Sequence, residues 1–190
     1  MIIPNYKDGK LIKELENIRV YKCDNELYLE QDLEGYGTEL WAYTIELPYF
    51  KQLMKDYPKG DCLETGLGLG VSSRYILSFD KVKSLTTVEI DPNMIEVQRA
   101  VNHIDDNRHT IVNDNCYTFI RKTNRKFDFI FIDHYNNIYD KIYYLLTMLN
   151  NLKDKINPGG KIVHWNMVLP SPEEVLNRVV NEINKYNEVE

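Results

Sequence analysis

Glu64-Thr65-Gly66-Leu67-Gly68-Leu69-Gly70-Val71-Ser72-Ser73 follows the apolar run Cys62-Leu63 and leads into a helix-like stretch from Ser73 to Phe79. Glycines permit positive φ and let a ligand approach the backbone, while the following helix N-terminus offers free N–H groups to a negative group. A tight strand-to-helix turn without any ligand would use the same residues. The position after a strand and before a helix favours the ligand loop.

Working outward, short apolar runs alternate with helix-like stretches. The runs are Cys62-Leu63-Glu64, Leu85 to Ile90, Thr110-Ile111-Val112, Phe127 to Ile132 and Lys161 to Trp165. This βαβαβαβαβ order predicts an α/β fold, a doubly wound Rossmann-like parallel sheet with right-handed crossovers. Phe127 to Ile132 is apolar almost throughout, as a strand covered on both faces must be. Ligands of such sheets lie at the carboxyl ends of the strands, near the switch in strand order. A boundary near Pro58-Lys59-Gly60 sets off an N-terminal cap, 1–59, from the Rossmann-like part, 60–190. In the cap, Ile18 to Tyr21 and Glu26 to Leu29 flank Asp24-Asn25 as a hairpin, and Leu40 to Leu53 reads as an amphipathic helix. The chain stops at Asn187-Glu188-Val189-Glu190, where a sixth strand would begin. An abbreviated sheet with an exposed edge predicts a homo-oligomer.

Bulk properties narrow the classes further. At 190 residues one domain is expected. A net charge of -6 argues against a polyanionic partner such as nucleic acid, which needs concentrated Lys and Arg. No apolar run is long enough to span a membrane and no secretory signal opens the chain, so a cytoplasmic protein is expected. Cys23, Cys62 and Cys116 are widely spaced, outside any disulfide or zinc pattern.

The strand ends carry the candidate ligands. Glu89 lies roughly twenty residues beyond the glycines, where a carboxylate can fork onto a ribose diol. Asp91, before Pro92, reads as a helix cap. Asp114 and Asn115 suit either an adenine edge or the N-cap of the helix starting near Cys116. Strand four ends in Asp133-His134-Tyr135, and strand five in His164-Trp165-Asn166. The histidines suit packing at a strand end as well as catalysis.

Together these residues resemble the class I S-adenosylmethionine-dependent methyltransferases, over roughly Asp61 to Pro170. Leu63-Glu64-x-Gly66 through Gly70-Val71-Ser72, Val88 to Pro92, Phe131 to Tyr135 and Asn166 look most like the catechol-type O-methyltransferases. That resemblance implies S-adenosylmethionine as cofactor. It gives Glu64, Gly66, Gly68, Gly70 and Ser72 the methionine end, Glu89 the ribose, and Asp133 and His134 places beside the ligand. Those enzymes hold Mg²⁺ with two Asp and one Asn and use a Lys as base. Here Trp165 stands in place of the second Asp and Asn136 in place of the Lys, so no metal is expected. A weaker resemblance is to spermidine synthases, through Arg19-Val20-Tyr21 to Glu34, Val88 to Pro92 and Lys126-Phe127-Asp128. In that family an Asp after strand four helps deprotonate an amine, a role open to Asp133. Leu67 and Leu69 do not supply its loop Asp, however, and His134-Tyr135-Asn136 replaces its acidic continuation.

The expectation is methyl transfer to an unidentified small or medium acceptor. Asp133, His134 and Tyr135 would position the acceptor or remove its proton. Trp165 and Asn166, with the cap aromatics Tyr36, Trp41 and Tyr43, would shape its pocket. Aminopropyl transfer, cleavage of S-adenosylmethionine and noncatalytic binding are the alternatives.

Overall fold

β5, Gly60–Thr65, is central: it pairs in parallel with β6, Val82–Glu89, on one side and with β8, Phe127–Ile132, on the other. The computed structural model describes residues 5–35, 37–133, 150–165 and 167–169. Beyond β6 lies β7, His109–Asn113, and beyond β8 lies β9, Ile156–His164, both parallel to their neighbours. The five expected strands therefore form one parallel sheet. A sixth, β10, Met167–Leu169, extends it, turning back antiparallel on β9, so the expected stop after the fifth strand is modified. The order β10-β9-β8-β5-β6-β7 reverses direction between β5 and β8. This is the switch point, where a crevice opens because the following connections leave on opposite sides.

Each face of the sheet is apolar and covered, as parallel pairing requires. Leu63, Val88, Ile130, Ile132 and Ile162 pack with Ile120 of α4, Cys116–Lys122, and with Leu152. On the other face Cys62, Leu85, Phe129, Phe131 and Val163 meet α1, Leu47–Met54, and α2, Val71–Leu77. Phe50 stands edge-on to Phe131 with ring centroids 5.7 Å apart, a favoured aromatic arrangement. Among the described residues no helix is long and apolar enough to cross a membrane.

The N-terminal segment is an antiparallel meander of β1, Lys10–Leu15, β2, Ile18–Cys23, β3, Glu26–Leu33, and β4, Gly37–Tyr43. The β2–β3 hairpin agrees with the reading of the sequence, its turn at Asp24 taking a positive φ of 53°. The helix expected over Leu40 to Leu53 does not form as one element. Leu40 to Tyr43 instead completes β4, Thr44–Glu46 makes a single 3-10 turn, and α1 starts at Leu47 with Pro48 in its first turn. Trp41 and Tyr43 favour extended backbone, and pairing with β3 supplies the hydrogen bonds a helix would have made. Ile18, Val20, Leu29 and Ala42 of this meander close over Leu69 of the glycine loop and over Met94 and Val97 of α3, Pro92–Asn102.

Asp91 caps α3 as expected, its Oδ1 accepting from Asn93 N at 2.8 Å. Its Oδ2 also accepts from Gln31 Nε2 of β3 at 3.1 Å, joining the two sheets. Asp91→Ala is expected to lower unfolding free energy by about 0.5–2 kcal/mol, the usual cost of losing a cap. Urea unfolding with an unchanged midpoint would show that the cap contributes nothing.

Candidate active site

The chain beyond β5 makes three left-handed turns of backbone, at Gly66 (φ 91°), Gly68 (φ 48°) and Gly70 (φ 74°), which only glycine adopts without strain. Gly66 N donates to Val88 O and Gly70 N to Leu67 O, so the loop is folded back on the ends of β5 and β6. Gly68 lies against the cap, since a Cβ there would sit 3.3 Å from that of Ala42. Across the switch point Asp133 N donates to Thr65 O, and Trp165 N to Ile132 O, bringing the ends of β5, β8 and β9 together.

Glu89 is 8% exposed. Its Oε2 accepts from Leu67 N and its Oε1 from Asp91 N, both at 2.9 Å. The carboxylate thus tethers the glycine loop to the start of α3, with lone pairs left over. Glu64 is 0% exposed, and its Oε2 accepts from Ser73 Oγ and, at 2.7 Å, from Thr87 Oγ1. Ser72, buried, lies beside the same carboxylate and favours its ionised form. Glu64 Oε1 is buried without a hydrogen-bond partner. Asn115 acts as the N-cap of α4, accepting from Tyr117 N and Thr118 N, and Asp114 Oδ1 accepts from Asn115 N. Asn115 Oδ1 is therefore occupied locally, which favours its capping role. His134, Tyr135, Asn136, Asn166 and Tyr36 lie outside the described residues. Trp41 is exposed on β4, whereas Tyr43 is half-buried and lies close to Glu46.

Glu46 was not picked out from the sequence, yet its carboxyl is near enough to Asp133 to raise it. Pro48 two residues on, a first-turn residue, is the signal that puts Glu46 at the start of a helix rather than inside one. Tyr49 of the same helix donates to Trp165 O, fixing α1 against the end of β9. Burial pushes the Glu46 carboxyl up to about 7 and that of Glu64 up to about 6. Burial also raises Glu89. Asp133 is held well above the usual carboxylate range, first by burial and then by repulsion from Glu64, Glu46 and Glu89. Asp133 thus has three other carboxyl groups within electrostatic reach, and among the described residues no Lys, Arg or His forms an ion pair with any of the four. A crevice of this kind disfavours anions and stabilises a bound cation. Among the described residues no three His, Cys, Asp or Glu side chains gather as a metal-ligand set.

Protonation of these groups is coupled to folding. A carboxyl raised in the folded state contributes stability that is present below its unfolded value and is lost as pH rises through its folded value. For Glu64 the rise from 4.5 to about 6 corresponds to about 2 kcal/mol withdrawn across that interval. Glu64→Gln should therefore gain stability relative to the parent by about that amount between pH 4.5 and 7. Unfolding curves that run parallel at both pH values would contradict it.

Fold and site together define a Rossmann-like, doubly wound domain with an acidic crevice at its switch point. The chain belongs to the spermine/spermidine synthase domain family, whose family model matches residues 36–190. It is 29% identical over 107 residues to a polyamine aminopropyltransferase of Sulfolobus acidocaldarius, covering 52% of this chain and 35% of that protein. It is 30% identical over 95 residues to the ribosomal RNA large subunit methyltransferase K/L of Shewanella sediminis, covering 44% of this chain and 13% of that protein. Among solved structures, spermidine synthase from Thermotoga maritima superposes with a TM-score of 0.57 at 20% identity, over 76% of this chain and 54% of that one. The chain spans about half or less of the length of each of these proteins. The catechol-type O-methyltransferases are not supported as the nearest relatives, and the resemblance to spermidine synthases is the stronger of the two. Local motifs misled here because a glycine loop and an acid ending the second strand serve both families.

Proposed function

We propose that this chain transfers an aminopropyl group from decarboxylated S-adenosylmethionine to a small-molecule amine. The observation that carries the reading is the crevice of Glu46, Glu64, Glu89 and Asp133 with no cation paired to it among the described residues, together with membership of the family. The ligand has a sulfonium and an ammonium, and the acceptor is a further amine, so every reacting partner is drawn to negative charge. S-adenosylmethionine itself carries a carboxylate, which the same field repels. This favours aminopropyl transfer over methyl transfer as the reading.

In the reaction the neutral amine nitrogen attacks the methylene carbon bonded to sulfur. The new C–N bond forms as the C–S bond breaks, and the bonding pair returns to sulfur, leaving neutral methylthioadenosine. The attacking nitrogen must first be free of one proton, and Asp133, kept basic by its acidic neighbours, is the acceptor for it. Glu89 holds the ribose, and proximity supplies much of the remaining rate.

Mass spectrometry after incubation with the decarboxylated ligand and a diamine tests this. Methylthioadenosine and a chain-extended amine are expected. S-adenosylhomocysteine formed from S-adenosylmethionine, or no product from either, would overturn it. Exposed Leu11 and Ile12 on the edge strand β1 support a homo-oligomer as part of this reading. Light scattering showing a strict monomer at high concentration would count against it.

A further inference from the structure

A line of hydrogen bonds runs across the sheet beneath the crevice. His109 of β7 has its Nε2 2.9 Å from Thr87 Oγ1 of β6, and Thr87 Oγ1 lies 2.7 Å from Glu64 Oε2 of β5. The register sets Glu64 directly beside Thr87, whereas His109 stands opposite Leu85 and reaches Thr87 on the diagonal, along the same face of the sheet. Ser73 donates to the same Glu64 oxygen, whereas Glu64 Oε1 is buried and unpartnered.

Proton counting fixes the direction of this line. A threonine hydroxyl has one proton, and an ionised carboxylate only accepts. With Glu64 ionised, Thr87 donates to Glu64 and must accept from His109, which therefore carries its hydrogen on Nε2. With Glu64 protonated the whole line can reverse, and His109 then carries its hydrogen on Nδ1. Burial, opposed by Asp106 and assisted by Arg99, holds the His109 ring down to about 4, so one ring nitrogen is bare near neutral pH. The ring is thus a single donor whose placement is linked to the charge on Glu64.

We infer that His109 is a positioning residue that acts through Thr87 to hold Glu64 ionised, its Oε2 saturated by hydroxyls and its Oε1 presented to the cationic arm of the ligand. This rests on the aminopropyl-transfer reading for the identity of that arm, but not for the hydrogen-bond order. It also accounts for an otherwise orphaned buried oxygen, a state that proteins rarely tolerate without a function. Glu64 would recognise charge, while Glu89 recognises the sugar. A ligand lacking the cationic arm should not sense the line at all.

The test compares His109→Leu, which removes the donor, with His109→Gln, whose side-chain amide can donate to Thr87. The probes are decarboxylated S-adenosylmethionine, which is cationic, and methylthioadenosine, a neutral thioether with the same nucleoside. His109→Leu is expected to weaken the cationic probe roughly tenfold and leave the neutral one unchanged, with His109→Gln close to the parent. Equal weakening of both probes, or of neither, would overturn the inference, because a merely structural role does not discriminate by charge. Nitrogen-15 shifts of the histidine ring in the ligand-free parent chain give an independent reading. Above about pH 7, where Glu64 is ionised, the Nε2–H form is expected, and the ring stays uncharged down to about pH 5 given a value near 4. An Nδ1–H form above pH 7, or titration near the ordinary histidine value, overturns the proposal even if His109→Leu fails to fold. If the parent binds neither probe the proposed function falls, and the ring shifts still decide the hydrogen-bond order.

Discussion

Asp133→Asn is expected to slow methylthioadenosine release by about 10²–10⁴-fold, the range that a positioned general base contributes. The carboxyl sits where β8 ends, with its backbone N–H on Thr65 O, so it is held beside the glycine loop at the switch in strand order. Asparagine keeps the size and shape of the side chain but cannot accept a proton from the attacking amine. It also removes a buried carboxyl that Glu64, Glu46 and Glu89 repel, so the ligand-free variant should melt at a higher temperature than the parent. Opposite changes in activity and stability separate a functional loss from a folding defect. The parent's turnover should rise with pH as Asp133 loses its proton. That rise should be displaced to lower pH when the cationic ligand is bound, because positive charge favours the ionised carboxyl. Turnover of Asp133→Asn within a few-fold of the parent would remove Asp133 from the role of base.

The parallel sheet was legible because its strands must be apolar on both faces. Phe127 to Ile132 coincides with β8, and the glycine run falls between β5 and α2 where a strand must turn into a helix. Glu89 was legible for a related reason: one crossover from the glycines brings the next strand end beside them. Leu40 to Leu53 was not, because its spacing of apolar residues fits a helix, whereas pairing of β4 with β3 is a long-range event without a local signature. The same limit hid Glu46, whose neighbour Asp133 is remote in the chain. Thr87 likewise meets Glu64 only through sheet register, and His109 meets Thr87 only by a diagonal contact across the next strand pair. The choice between methyl and aminopropyl transfer turns on the charge of the whole crevice, a sum over segments that no single motif carries.

Glu89→Ala is expected to weaken binding of the nucleoside ligand about tenfold to a hundredfold, corresponding to the roughly 1.5–3 kcal/mol of a hydrogen bond to a charged group. The carboxylate has two distinct tasks. Its oxygens accept from Leu67 N and Asp91 N, and the lone pairs left over are available to a ribose diol. Removing it strands two backbone donors in a buried place and frees a loop whose glycines hold little conformation of their own. Some of the loss should therefore appear without any ligand, as faster hydrogen exchange at Leu67 and Asp91. Glu89→Gln separates the tasks: its single carbonyl oxygen can keep one backbone donor, while its amide N–H₂ group meets the other donor head-on. That variant should bind more weakly than the parent but more tightly than Glu89→Ala. Methylthioadenosine should lose the diol share of this affinity, and the sulfonium ligand somewhat more, since Glu89 is also one of the carboxylates that attract its charge. Calorimetric titration of the two ligands against the two variants measures this. An unchanged dissociation constant for Glu89→Ala would reduce Glu89 to a tether of the loop and leave the ribose without its proposed partner.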